Sequence, residues 1–456
     1  MDKMVEQIAD MEKDFAGWYT DVVVKSKLVS YSGVRGCVYF HPYGAALWEN
    51  VKNELDRRFR ETGHENVIMP MLIPESLFMR EKDHVEGFAP EVAFVTHFGA
   101  EKLQERLIVR PTSEVLFCDY FKNEVQSYRD LPKLLNQWAN IIRCEKTTRP
   151  FLRTMEFFWQ EGHTLHETEK EAREETKKMF DIYRDFVENY LAVPVHCGRK
   201  TEREKFAGAV ETWTIEAMMH DGKALQSGTS HYLGQNFTNA FDIKFLGRDG
   251  KLALPHQTSW GMSTRILGAV IMVHGDNNGL VLPPKIAPIQ AVIVPIAAHK
   301  DGVTGACEKL YKQIGDTARV HLDATDATAG WKFAEYEMRG VPLRIELGPK
   351  DIENGSCVVV RRDTREKITV KLTDIKKQIP VLLQSVHENM YKKALARREK
   401  MTYTAKNADE VIEILKTKSG IVIAPHTEEA ETKLKEHGIT SRCILDDGRV
   451  IWGRAY

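Results

Sequence analysis

Between residues 44 and 61, Leu47, Val51, Leu55 and Phe59 recur near the helical period among charged neighbours, which predicts an amphipathic helix. NVIMPMLIP, after Gly63 and His64, predicts a strand with prolines at its end. EGFAPEVAFVTHFG reads as a turn followed by a short strand. LIVRPTSEVLFCDYFKNEV passes from an apolar strand through Pro111, Thr112, Ser113 and Glu114 into a helix, with the Thr or Ser ahead of Glu114 as its cap. Residues 166–190 carry the clearest helical pattern. Polar residues dominate its first half, Met179, Ile182, Phe186 and Val187 form a stripe in its second, and its charges read as a solvated face.

From 205 to 261 the pattern changes to short apolar segments punctuated by glycines and turn residues, which predicts antiparallel sheet. MSTRILGAVIMVHGD then predicts a helix on that sheet, with Arg265 one turn inside its start. Pro283, Pro284 and Pro288 interrupt regular structure, and beyond them strands and helices alternate as in a small α/β unit. A helical run over 371–399 leads to a last segment where the alternation resumes. The expected organisation is an α+β unit with an antiparallel sheet over 1–284, an α/β unit with its connecting helix over 285–399, and a small α/β unit over 400–456.

A length of 456 residues suits two or three such units. With 64 Lys plus Arg against 65 Asp plus Glu, the net charge of -1 excludes a polycation. A nucleic acid partner would have to be met by local basic patches. The seven cysteines are scattered, odd in number and without a CxxC pair, which argues against a disulfide scaffold or a four-thiolate zinc knot. The start, MDKMVEQIADMEKDF, has no signal-peptide pattern, and the strongest apolar run, AVIVPIAA, is far too short to span a bilayer. A soluble, reducing, cytoplasmic setting is expected, with no membrane partner.

The chemistry concentrates at Arg143-Cys144-Glu145, Arg149, Arg153, Glu156 and the string FFWQEGHT over 157–164. Paired guanidinium forks suit a substrate with several phosphates, a carboxylate accepts from an adenine amino group, and an aromatic ring such as Phe157 stacks on a base. Surface or intersheet ion pairs are the competing reading of the same residues, and core packing is the competing reading of Trp159. Two histidines three apart in HTLH are a weak metal signal.

The stretch Arg143–Thr164 resembles motif 2 of the class II aminoacyl-tRNA synthetases, MSTRILGAVIMVHGD resembles motif 3 with Arg265 as its arginine, and LDRRFRETGHENVIMP resembles motif 1 with Pro70 as its proline. The strings RPTSE, RPFLR, FFWQEGHT, GTSHYLGQNF and HGDNNGLVLPP together resemble the prolyl-tRNA synthetases, over roughly 15–400 and with less force to the end. This resemblance implies a class II synthetase fold that joins L-proline to tRNA(Pro) through prolyl-adenylate, with ATP and Mg²⁺ required. It implies a proline pocket of Thr112, Glu114, Arg143, Trp159, Glu161, His163 and His231. The implied ATP site is Arg143, Glu145, Arg153, Phe157, Gln226, Thr229, Ser263 and Arg265, with Arg143 and Arg265 as the catalytic arginines.

The unit from about 286 resembles the anticodon-binding domain of that group, with Glu346, Lys350, Arg361 and Arg362 as candidate anticodon contacts against ordinary strand-end solvation. The chain after 400 resembles the extra C-terminal domain of the archaeal and eukaryotic type, ending in Tyr456. Many relatives hold a cysteine-ligated zinc there; here Cys443 alone remains, which argues against that zinc, and His426, His437 and Cys443 make a poor substitute. Packing by Ile421, Ile423, Leu434 and Ile439 is expected in its place. Motif 1 implies a homodimer, and the interval between motifs 2 and 3 is too short for the editing insertion of many bacterial enzymes. A threonyl-type synthetase is disfavoured by FFWQEGHT and by the lack of a zinc triad. A binding protein without activity is disfavoured because Arg143 and Arg265 are both present.

Overall fold

The computed structural model describes residues 8–80 and 92–456, so the turn expected at 86–91 lies outside the described residues. The amphipathic pattern near the start forms the helix Pro42–Glu61, which opens on a proline whose missing N–H costs nothing there. It buries Leu47, Trp48, Val51, Leu55 and Phe59 in the largest apolar core. The single strand expected in NVIMPMLIP is two short ones, Glu65–Asn66 and Leu72–Pro74, because prolines and exposed Ile68 separate them.

Among the described residues eleven strands form the central sheet, seven of them running antiparallel to every neighbour. From one edge, Glu65–Asn66 is followed by Lys133–Ile142, Glu156–His166, His256–Ser263, Ala224–Gly234, Glu211–Met218 and Val195–Arg199. The sheet then continues into Thr440–Ile444, Val450–Gly453, Ile421–Ala424 and Thr402–Thr404 from the last segment. The junction is the pair Ile444↔Arg199. A buried charge triad reinforces it: Lys200 Nζ lies 2.8 Å and Arg442 Nη2 2.6 Å from the two oxygens of Glu216.

The helix Glu169–Asp185 covers one face of this sheet. Thr168 and Glu171 close a capping box at its start, and it passes into a π-turn at Phe186–Tyr190, five residues before the expected end. Its buried stripe runs its whole length through Ala172, Thr176, Met179, Phe180 and Tyr183. Ala172 and Thr176 are too small or too polar to register in a hydrophobic pattern, which is why the stripe reads only in the second half. Ser230 donates to Thr176 O at 2.7 Å, so the neighbouring Thr229 and His231 point to the opposite, open face.

On the helix-covered face Gly162 lies under Trp260, and a Cβ there would come 2.0 Å from Trp260 Cζ2. Gly162→Ala is therefore expected to lower stability by about 1–3 kcal/mol through overpacking. Urea denaturation followed by tryptophan fluorescence checks this; an unchanged midpoint would show that the indole moves aside freely.

The second unit is a five-stranded sheet in the order Val320–Leu322, Ala291–Pro295, Leu343–Leu347, Ser356–Arg361, Lys367–Lys371. Ile293, Leu343, Ile345, Cys357 and Val359 pack with Ile379, Val386 and Met390 of the helix Ile375–Lys400. The last segment has a core of its own containing Val411, Leu415, Val422, Leu434, Ile439 and Trp452, while Ile421 joins a small cluster with Met218 and Cys443. His426 pairs with Glu431 at 3.2 Å, His437 is exposed and Cys443 is buried. Among the described residues no group of three or more His, Cys, Asp or Glu side chains converges as a metal ion requires.

Candidate active site

The open face of the central sheet carries a cavity of about 220 Å³. Its floor follows from strand alternation. On Glu156–His166, the positions Phe157, Trp159, Glu161 and His163 share one face and all line the cavity. Pairing extends these into rows: Glu161 stands beside Gly261, and Gly261 beside Thr229; His163 stands beside Ser259, and Ser259 beside His231. Gly261, without a side chain, leaves the centre of the floor low.

Gln226 is an odd number of residues from Thr229 and would face the other way on a regular strand. A bulge at Ser227, where Gly228 pairs with Ile215 and Gln226 with Glu216, restores it to the cavity. Ser263 ends its strand in the same row as Trp159, and its hydroxyl accepts the Arg265 N–H at 3.2 Å. Arg265 is the first residue of the helix Arg265–His274, not one turn inside it as expected from the pattern.

Ser113 stands at the N-terminal position of the helix Glu114–Glu124 but makes no capping bond with its side chain. Its hydroxyl donates instead to Glu161, and Thr112 donates to Glu114. A buried carboxylate is a strong acceptor for the Ser113 hydroxyl, so the side chain that would have accepted a helix N–H is turned to the site instead. Gln137 Nε2 adds a bond of 2.5 Å to Glu161 and one of 2.8 Å to Ser113 Oγ. Thr112, Glu114, Glu161, His163 and His231 are all buried.

The two ends of the cavity differ in charge. At one end Glu114 and Glu161 sit with His163 and His231. Thr212 Oγ1 contacts His231 Nδ1 at 2.9 Å, and burial pushes the His231 imidazole down to about 4, so it is neutral at pH 7. Phe117 stacks on His163 at 4.1 Å between ring centres. Trp159 Nε1, His163 Nδ1 and Ser259 Oγ are buried without a hydrogen-bond partner among the described residues, a cost that a polar ligand in the cavity would relieve.

At the other end are Arg143 and Arg265. Arg143 Nε donates to Pro111 O at 3.0 Å, and its guanidinium lies 5.5 Å from the Phe157 ring and 5.6 Å from the Trp159 ring. Arg265 Nε donates to Leu152 O at 3.0 Å. Burial, together with the charges of Arg143 and Arg153, brings Arg265 down to about 10, still cationic at neutral pH. Two guanidinium groups in one partly desolvated cavity make a strong anion site. Glu145 and Arg153 do not line the cavity; they pair with each other at 3.8 Å beside it, with Arg153 exposed.

Glu204 and Phe206, from the loop before Glu211–Met218, complete the wall with Thr212, Ser259 and Met262. Sequence reasoning missed these. Thr212 and Ser259 were reachable from strand pairing, but nothing in the loop pattern marks Glu204 or Phe206.

Of the four residues expected to contact the anticodon, Arg361 and Arg362 line one cavity of the second unit together with Arg344 and Lys367. Lys350 is exposed, and Glu346 is buried beside Arg344 at 2.8 Å. Arg361 forks onto Asp363 at 3.0 and 2.8 Å, and Arg362 forks onto Asp276 at 2.8 and 2.6 Å.

Residues 94–274 match the family of the tRNA synthetase class II core domain (G, H, P, S and T), and residues 290–382 match the anticodon binding domain family. "Proline--tRNA ligase 2" of Bacillus cereus is 59% identical, with 100% of this chain and 99% of the relative covered. "Proline--tRNA ligase" of Clostridium novyi is 57% identical over 100% of this chain and 99% of its own. "Proline--tRNA ligase" of Oceanobacillus iheyensis is 59% identical over 97% of this chain and 93% of its own.

Proposed function

The chain belongs to the family of class II proline–tRNA ligases, and from that premise we propose what each side chain of the cavity does in the reaction it catalyses. That reaction is the ATP-dependent attachment of L-proline to tRNA(Pro). The proline carboxylate attacks the α-phosphate of ATP, giving prolyl-adenylate and pyrophosphate. The terminal adenosine hydroxyl of the tRNA then attacks the adenylate carbonyl and releases AMP.

Glu114, oriented by Thr112, pairs with the secondary ammonium, and Trp159 walls the pyrrolidine ring. Glu161, held by Ser113 and Gln137, and His163 close that end of the pocket. A neutral His231 fits this assignment, since an imidazolium there would repel the ammonium. Arg143 faces the proline carboxylate and the α-phosphate. Phe157 stacks on adenine, Glu145 accepts from its amino group, and Gln226, Thr229 and Ser263 bond along the nucleotide. Arg265 holds the terminal phosphates from a helix N-terminus whose dipole adds positive potential, and Arg153 joins it by leaving its pair with Glu145 beside the cavity.

ATP enters as its Mg²⁺ complex; that cation binds phosphate oxygens and keeps several waters, so it needs no dedicated protein cage. No side-chain nucleophile takes part, and orientation and charge stabilisation carry adenylate formation. The observation that supports this reading best is a single cavity with carboxylates and histidines at one end, two arginines at the other and Trp159 between them.

We assign the second unit, 285–399, to anticodon binding, with Glu346 and Lys350 as contacts; Arg361 and Arg362 serve that role only if RNA displaces their carboxylate partners. Within the family the chain is of the archaeal and eukaryotic layout. Supporting this, the interval between Glu156–His166 and His256–Ser263 holds strands of the central sheet, the helices beside them and one two-stranded hairpin, and a further unit over 400–456 follows. A homodimer is supported by Ile68 and Met71, 94% and 46% exposed on either side of Pro70 at the sheet edge. All seven cysteines are free thiols, as suits the cytoplasm, and among the described residues no helix is long and apolar enough to cross a membrane.

The test is pyrophosphate exchange into ATP without tRNA, comparing L-proline with L-threonine, L-alanine and L-cysteine. Exchange driven best by proline is expected. Cysteine should be the strongest competitor, because its volume is near that of proline and an apolar pocket separates such pairs weakly. Exchange driven best by another amino acid would sink the pocket assignment.

A further inference from the structure

The helix Arg265–His274 begins in the catalytic cavity and ends, about 15 Å away at 1.5 Å per residue, against the C-terminal half of the chain. Its sides are apolar: residues Ile266 through Val273 are all buried. Apolar packing resists separation but has little direction, so it restrains sliding or rotation of a helix weakly. Directional bonds at its ends set its position. At the start these are Arg265 N to Ser263 Oγ and Arg265 Nε to Leu152 O, at 3.2 and 3.0 Å.

At the far end two arginines from the second unit take over. Arg397, on the helix Ile375–Lys400, donates to the Val273 carbonyl, one of the groups a helix C-terminus leaves without an internal partner. Arg362 forks onto the Asp276 carboxylate two residues past the helix, and its Nε donates to Glu337 O at 2.9 Å, which fixes the fork to its own unit. Asp276 is tied to the catalytic unit in turn: its carbonyl accepts Trp18 Nε1 at 2.9 Å, and its carboxylate accepts the Asn278 N–H at 2.9 Å. Strand-like bonds from Leu280 N to Met338 O and Leu282 N to Gly340 O, at 3.0 and 3.3 Å, continue the junction.

We propose that Arg362, through its fork onto Asp276, is a positioning residue for Arg265: the tRNA-binding half of the chain holds the far end of this helix and so sets where Arg265 meets the triphosphate. The proposal rests on the reading of Arg265 as a phosphate contact. It gives Arg362 a part in adenylate formation, a step that needs no tRNA, in place of the anticodon contact expected from the sequence.

Arg362→Gln in the full chain is the first variant. The Asp276 side chain is 39% exposed, so water can take over its charge when the fork is lost. The reciprocal exchange, Asp276→Arg with Arg362→Asp, is the rescue. Arg265→Gln is the reference for loss of the phosphate contact itself. In tRNA-free exchange, Arg362→Gln is expected to raise the KM for ATP on the order of tenfold, as a displaced contact does, and to leave the KM for proline unchanged.

The reciprocal variant should recover most of that loss, which a general loss of stability would not do. If Arg362→Gln leaves exchange unaltered while Arg265→Gln impairs it, the positioning role is overturned. A raised KM for tRNA in aminoacylation alone would return Arg362 to direct RNA contact. If Arg265→Gln leaves the KM for ATP unaltered, the underlying reading of Arg265 fails, and that outcome is distinct from the others.

Discussion

Arg143→Met is expected to reduce proline-dependent pyrophosphate exchange by about 10²- to 10³-fold in kcat, the cost of removing a preorganised donor aimed at developing charge. Methionine keeps the reach and the packing against Phe157 and Trp159 but loses both the charge and the fork. Arg143→Lys should restore little, because one ammonium cannot serve the carboxylate and the α-phosphate together. The fold should tolerate the change: Arg143 is half-buried, and the backbone bond lost with its guanidinium is the one to Pro111 O. Single-turnover formation of prolyl-adenylate separates this loss from weaker binding. A reduction below about tenfold would place the charge stabilisation elsewhere.

Glu216→Gln carries the largest expected effect on stability, about 3–5 kcal/mol, because it leaves two buried cations without their counter-charge. Lys200 and Arg442 have side chains only 2% and 7% exposed, and Glu216 is their shared partner. Burial alone would push the Glu216 carboxyl up, but the two cations outweigh it and hold the group below the ordinary glutamate range.

The sign of the pH dependence follows. A depressed folded pKa stabilises fully above the unfolded value of about 4.3, and that stabilisation is lost as pH falls through the folded value. The wild type and Glu216→Gln should therefore differ by a constant amount from pH 5 to 8 and converge in stronger acid. Urea denaturation across that range measures the gap. A gap under about 1 kcal/mol would mean that water reaches the triad when the carboxylate is gone. Because Arg442 comes from the last segment, early loss of its strands in the variant should appear as fast amide exchange over 440–453.

Much of the cavity could be read along the chain. The alternation in FFWQEGHT puts Phe157, Trp159, Glu161 and His163 on one face, and the structure has that face lining the cavity. The helix Pro42–Glu61 and the antiparallel run over 211–263 follow from periods of 3.6 and 2 for the same reason: backbone geometry repeats locally, and so does the pattern that buries one side.

Other features had no local cause. Ser113 could cap a helix or serve a carboxylate, and the choice fell to Glu161, 48 residues away. Gln226 and Thr229 face the same cavity only because a bulge at Ser227 shifts the strand by one residue. Arg361 and Arg362 are adjacent and alike in sequence, yet one pairs with neighbouring Asp363 and the other with Asp276, 86 residues earlier. Periodicity sufficed for most of the elements, because they depend on residues a few positions apart, whereas the chemistry of the cavity was implied only by the resemblance of its strings to a family. The partner of each charge and hydroxyl depended on which distant groups the fold brought within 3 Å, where the balance between desolvation and pairing is struck.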